Sequence, residues 1–245
     1  MRLTTACSGC EPAVYVSCIA SVLSGWLAPL MLNVKRHRQH QHMLTPEQFS
    51  LRWRSEVVAK DSIPEDVKLL TAPAQQLASV RLPESARRFL AEAGLPKGCA
   101  PFLGFEEVGK GLPRIWERYS PGQWRPEEKA GLEHYLLIGY DDEAGNPICV
   151  DERDGRVFVV EHELLFDPKA REARIMFVNS GIAELAESLL VFNTTSPPER
   201  LKAFERVDPP AVAKGAFWSR EAAAARENEK EGNDHGRKKP WWRFW

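Results

Sequence analysis

The chain has 245 residues, 43% hydrophobic, 27% charged and 9% aromatic, a globular make-up that excludes collagen-like, disordered and disulfide-scaffold classes. Its 33 lysines and arginines against 34 aspartates and glutamates exclude nucleic-acid binding driven by whole-chain charge. The balance is uneven: residues 1–42 carry +3, residues 219–245 carry +2, and residues 43–218 hold −6. An acidic body between basic ends suits a basic protein partner better than DNA or RNA.

These zones define three expected parts: a leader over 1–42, a domain over 43–218, and a polar flexible tail with a Trp-rich tip over 219–245. In the leader, residues 13–34 carry no charge and are followed by Lys35, Arg36 and Arg38. That stretch is long enough to span a bilayer, and the basic flank would keep the body in the cytosol. Alternatively, translation starts at Met43, which stands directly before a helix signal. A cleaved signal peptide fits less well, because Arg2 is the sole basic residue ahead of the apolar run. Cys7 and Cys10 have redox or metal spacing without further ligands. His37, His40 and His42 read as solvated low-complexity sequence, and Cys18, Cys99 and Cys149 as incidental reduced thiols.

From Met43 the pattern becomes regular. Thr45-Pro46-Glu47-Gln48 is a capping box with proline at the first helical position, and Phe49, Trp53 and Val57 give that helix an apolar face. A second helix starts at Leu82-Pro83, carries Phe89 and Leu90, and stops at Gly94 before Leu95-Pro96. Residues 99–131 read as loops with strand fragments, one around Phe102 to Val108 and one carrying Ile115, Trp116 and Tyr119. The clearest β signal is Tyr135 to Tyr140, a turn over 141–146, and Pro147 to Val150. The Asp154-Gly155 turn then leads into Val157 to Val160, which makes a three-stranded meander. Residues 174–179 add a strand or edge segment. Ser180 is expected to cap a helix bearing Ile182, Leu185, Leu189 and Phe192, and a further helix near 199–207 breaks at Pro209-Pro210. The fold class is therefore α+β: an antiparallel-rich mixed sheet flanked by helices in a single domain with flexible ends. Beyond residue 221 the chain is weakly helical, then polar and tail-like. It ends in Trp241, Trp242, Arg243, Phe244 and Trp245, an aromatic density that asks for a membrane interface, a protein groove, or the chain's own domain.

Catalytic signatures are missing. Gly109-Lys110-Gly111 lacks phosphate-loop spacing, and no H-E-x-x-H, G-x-S-x-G or paired cysteine doublet occurs. Alternation sends Glu161 and Glu163 to one face and His162 to the other, which opposes a joint metal site. One enzyme reading remains, a small hydrolase in which His134 and His162 meet across strands near Asp151. Asp141, Asp142, Glu143, Asp151, Glu152 and Asp154 crowd the two hairpin turns and are expected to form a single negative rim that touches a partner. Asn193-Thr194-Thr195 is a glycosylation sequon, which matters only in a secretory pathway.

Trp53, Leu82-Pro83, Phe89-Leu90, Gly94-Leu95-Pro96, Leu137-Ile138-Gly139, Val150-Asp151, Gly155-Arg156-Val157, Val178-Asn179-Ser180, Asp208-Pro209 and Phe217-Trp218 occur in an order and spacing with a family precedent. Over about residues 44–220 the chain resembles the SUKH superfamily of bacterial immunity proteins from polymorphic toxin systems, in its fourth group. The resemblance implies a non-enzymatic, cofactor-free α+β domain in the cytoplasm that binds and neutralises a cognate toxin. Such toxins are commonly nucleases or nucleic-acid deaminases, and the domain itself makes no direct contact with nucleic acid. The acidic rim would then meet the toxin's phosphate-holding surface, with Trp241, Trp242 and Trp245 as further contacts. The leader and tip depart from the common domain. They leave open a membrane-tethered scaffold or regulatory protein without a toxin, touching the membrane through 13–34 or the tip. Oligomeric state is open.

Overall fold

The computed structural model describes residues 43–61, 65–118, 131–161 and 175–234. The first helix, α1 (Pro46–Glu56), begins as the sequence requires. Gln48 N–H donates to Thr45 Oγ1 at 3.2 Å, and Thr45 N–H donates to Gln48 Oε1 at 2.9 Å, which closes the capping box. Its buried face presents Phe49 and Trp53, and the Trp53 indole N–H donates to Val67 O at 2.8 Å, so the largest core side chain leaves no polar atom unpaired.

Next come β1 (Leu69–Leu70), α2 (Ala74–Ala78), α3 (Glu84–Glu92) and β2 (Leu95–Pro96), with β1 and β2 paired antiparallel. Gly94 joins α3 to β2 at φ +73°, where a Cβ would lie 2.0 Å from Leu70 O; only glycine fits both the left-handed backbone and that approach. The main sheet has six strands in the order β3 (Gly98–Cys99), β4 (Leu103–Gly104), β5 (Tyr135–Asp141), β6 (Asn146–Asp151), β7 (Val157–Val160) and β8 (Ile175–Asn179). Every described pairing is antiparallel. The expected meander is present, continued by β8 on one side and by β4 and β3 on the other.

Between β4 and β5 lie α4 (Glu106–Lys110) and α5 (Ile115–Arg118). The strand fragment expected at Ile115 and Trp116 is thus a short helix, because Arg114 makes the single bridge to Leu136 and the chain then turns away. Tyr119 lies outside the described residues. Three helices close the fold: α6 (Ile182–Thr194), α7 (Pro197–Val207) and α8 (Phe217–Asp234), with a 3-10 turn at Pro209–Val212 between the last two. The cap of α6 differs from expectation: Gly181 is the capping residue, without a side-chain hydrogen bond, and Ser180 turns its hydroxyl elsewhere. Helix α8 extends through Asp234, well into the segment whose composition suggested a weak helical start.

Alternation along β5 and β6 sends Leu136, Ile138, Ile148 and Val150 into the main core with α1, α3 and α6, and Leu137 and Cys149 to the other face with Ile115, Leu132 and Val160. The two cores explain why the strand sequences read as nearly continuous apolar runs. Helix α8 is pinned by Trp218, fully buried and stacked on Phe204 with ring centroids 4.7 Å apart. At the sheet centre, Gly139 passes so close to β4 that a Cβ would lie 2.0 Å from Gly104 O, backbone that cannot yield like a side-chain tip. Gly139→Ala should therefore cost about 3 kcal/mol, read as a lower urea midpoint at unchanged slope.

Candidate partner-binding surface

The register of β5 and β6 decides where the six carboxylates go. Asp141 pairs with Asn146 at one end of the hairpin and Tyr135 with Asp151 at the other, roughly 17–20 Å apart along a six-residue strand. Successive turns of a meander emerge at opposite ends of a sheet, so Asp141, Asp142 and Glu143 lie at one end and Asp151, Glu152 and Asp154 at the other. The single rim expected from the sequence is two separate surfaces.

At the second end the carboxylates are engaged internally. Asp151 is 1% exposed, and the Arg153 guanidinium donates to its Oδ2 at 2.6 Å and its Oδ1 at 3.0 Å. Burial resists ionisation of Asp151, but the Arg153 hydrogen bonds together outweigh it and hold the carboxyl below its ordinary range. Buried Glu152 accepts two hydrogen bonds from Arg114, at 3.1 and 3.0 Å. Asp154 accepts from Arg156 at 2.6 Å. His134 Nδ1 stands 3.8 Å from Glu152 Oε1, and its Nε2 stands 3.2 Å from Glu133. The hydrolase reading needs Asp151 beside His134 and His162. Arg153 takes both Asp151 oxygens, and His162 and Glu163 lie outside the described residues.

The first end is differently built. Asp141 Oδ1 accepts from the backbone N–H of Glu143 at 3.1 Å and of Ala144 at 3.4 Å, so this residue shapes the turn. Asp142 sits over Gly104, and burial, followed by repulsion from Asp141 and Glu106, raises its pKa. Glu143 is exposed. Glu106 is paired with Lys110 at 3.0 Å.

The sequence reading missed Glu221 on α8. Burial, then the charges of Asp141 and Glu143, push its pKa up to about 7 against the pull of Arg220. The available signal was the four-residue spacing of apolar Trp218 and Ala222; the structure buries both and so sets Glu221 beside the core rather than in a tail.

Two shallow grooves are present, one of about 340 Å³ along α1 at Leu51 and Arg54, and one of about 240 Å³ where Pro83, Asp154, Gly155, Gly181 and Glu184 meet. Among the described residues, no three histidine, cysteine, aspartate or glutamate side chains are placed to hold a metal, and no helix is long and apolar enough to cross a membrane. Residues 13–34, Cys7, Cys10 and the tip residues Trp241, Trp242 and Trp245 lie outside the described residues.

Three short motifs, far apart in sequence, meet at the start of α6. Asn179, fully buried, donates from Nδ2 to Ser188 Oγ at 3.0 Å and to Asp208 Oδ2 at 3.1 Å, and its Oδ1 accepts the Trp218 indole N–H at 2.9 Å. Asp208 also accepts the Ser180 N–H at 2.7 Å and the Ser180 hydroxyl at 2.8 Å. Val178-Asn179-Ser180, Asp208-Pro209 and Phe217-Trp218 are thus one hydrogen-bonded unit. A family model described as SUKH-4 immunity protein matches residues 52–225, a span that contains this unit, α3 and the whole meander. The chain belongs to the SUKH-4 immunity protein family. No curated protein and no solved structure matches it.

In this SUKH-4 chain the buried unit and the acidic end give separate tests. Asp208→Ala strips the acceptor from three donors and should cost about 3 kcal/mol in denaturant titration, more than Asp208→Asn, which keeps one oxygen. The folded chain holds the Glu221 proton more firmly than the unfolded chain, whose glutamate titrates near 4.5. Stability from this group is therefore present below that value and lost as pH rises through about 7. Melting temperature should fall between about pH 4.5 and about pH 7 and level off above it, and Glu221→Gln should remove most of that slope.

Proposed function

We propose that this SUKH-4 chain is an immunity protein that neutralises a cognate toxin by non-covalent association and performs no chemistry of its own. The observation that carries this reading is the family match over residues 52–225, which brings toxin immunity with it. We assign the partner contact to the β5–β6 end, where Asp142, Glu143 and Glu221, among the described residues, are not spent on arginine hydrogen bonds in the way Asp151, Glu152 and Asp154 are. Clustered carboxylates that repel one another gain most from an incoming cation, because the cation relieves the repulsion as well as adding its own attraction.

That physics favours a toxin with a basic surface. A nuclease or nucleic-acid deaminase has one, since it must hold phosphate. An acidic inhibitor can occupy or flank that groove without touching nucleic acid. Such an encounter belongs in the compartment where the toxin is made, hence the cytoplasm.

The test is capture with the tagged full-length chain in its native host, followed by mass spectrometry. The expected result is one stoichiometric basic protein, toxic when expressed alone and harmless when this chain is co-expressed. Asp142→Lys with Glu143→Lys should weaken the complex about tenfold or more and flatten its salt dependence, while Asp154→Lys leaves both unchanged. Binding that ignores salt and the double reversal would remove the acidic end from the interface. Finding the full-length chain in membranes, with no stoichiometric protein, would favour the tethered regulatory reading.

A further inference from the structure

The β7–β8 edge of the sheet carries an aromatic strip in which Phe158 packs against the smaller core and Phe177 against the main one. Phe158 and Phe177 are register partners, and their rings meet edge-on with centroids 5.8 Å apart. Tyr135 meets the other edge of Phe158 at 5.7 Å, and the Arg156 guanidinium lies 5.5 Å from the Phe158 ring centre. Ile175, the register partner of fully buried Val160, is 39% exposed, one of two large apolar side chains that reach that level among the described residues. Phe158 and Phe177 are only partly buried. Isolated exposed apolar residues need no explanation, but a strip of rings joined to an exposed isoleucine does.

The register places Ile175 at the same end of the sheet as Asn146 and the acidic turn, since Ile175 pairs with Val160 and Ile148 with Val159. Helix α8 passes this end: Arg220 Nη1 lies 3.3 Å from Met176 Sδ, and Glu221 feels Asp141 and Glu143. From Arg220 to Asp234 the helix advances about 21 Å. From Asp234, seven residues of extended chain reach Trp241 and span up to about 24 Å, and four more reach Trp245. The tip is therefore long enough to return to the level of β8. Its composition matches what it would meet there: Arg237, Lys238 and Lys239 for the carboxylates of the acidic end, then Trp241, Trp242, Phe244 and Trp245 for the strip.

We propose that residues 237–245 dock on their own domain, the basic triplet beside Asp141, Glu143 and Glu221 and the tryptophans over Ile175, Phe158 and Phe177, a contact that a basic partner arriving at the acidic end would displace. Tethering favours this occupant over the alternatives. A segment held on a short linker meets its site at an effective concentration near the millimolar range, far above that of a second copy in dilute solution. Aromatic side chains lose few rotors on docking and bring large contact areas, and the opposite charges align the linker before the rings engage.

The test places photoreactive benzoylphenylalanine at Trp242 of the full-length chain and maps crosslinks by mass spectrometry. Expected are crosslinks within one chain, on peptides holding Phe158 or residues 175–177, in a yield unchanged on about tenfold dilution. Arg237→Glu, Lys238→Glu and Lys239→Glu together should abolish them; these substitutions lie beyond α8, and circular dichroism verifies the fold. Crosslinks between two chains, elsewhere on the chain, or only to lipid when phosphatidylglycerol vesicles are present would overturn the proposal. So would their persistence in the charge-reversed variant. The readout involves no toxin, so its failure leaves the immunity reading intact.

Discussion

The hydrogen bonds around Asn179 and Asp208 tie together parts of the chain that are far apart in sequence. The last strand, α6, the break after α7 and the start of α8 each contribute one member, all closed off from solvent. A buried carboxylate is costly unless it is surrounded by donors, and Asp208 receives three. A buried indole N–H and a buried amide carry the same obligation, and each satisfies the other. Because every polar atom in the unit has a specific partner, the helices can dock in one arrangement only, whereas apolar packing of Phe192, Phe204, Phe217 and Trp218 would tolerate several. The sheet inherits its position from this unit through β8.

The meander imposes the other constraint. Antiparallel strands joined by tight turns expose alternate turns at opposite ends, and this chain uses the two ends in opposite ways. Around Asp151 each carboxylate is matched by an arginine from the β6–β7 turn or from the residue before α5, so the surface is charged but internally balanced. Around Asp142 the carboxylates gather without such partners among the described residues, and burial, followed by repulsion from neighbouring carboxylates, raises the proton affinity of Asp142 and of Glu221. Local sequence density of acidic residues is a poor guide to potential for this reason. What counts is which cations the fold delivers to each group.

The legible part of the sequence was the part governed by local chemistry. Thr45 to Gln48 carries its own cap, and Asp154-Gly155 specifies its own turn, with Gly155 at φ +78°. Gly94 ends α3 through its own backbone freedom. Leading helix, meander and flanking helices could therefore be placed without tertiary information. The expectation for Ser180 failed because its hydroxyl had a better acceptor 28 positions away in Asp208, and serine beside a helix start does not encode that choice. The segment at Ile115 was misread because it pairs through a single bridge at Arg114 and otherwise packs by burial. The acidic end was half seen: composition pointed to Asp141, Asp142 and Glu143, but their companion Glu221 arrives from a helix about 80 positions later, and the separation from Asp151 depends on register.

The signature residues of the fold lie inside it, and the turn over 142–145 lies outside, tied down through Asp141 and by the backbone bond from Asp142 N–H to Phe102 O at 2.7 Å. Substitutions at Glu143 or Ala144 can change what this end attracts without asking Asn179, Asp208 or Trp218 to move. Such a scaffold separates the residues that make it fold from the residues that set the charge of this end. The turn can be rewritten at a few positions, at almost no risk to the structure that carries it.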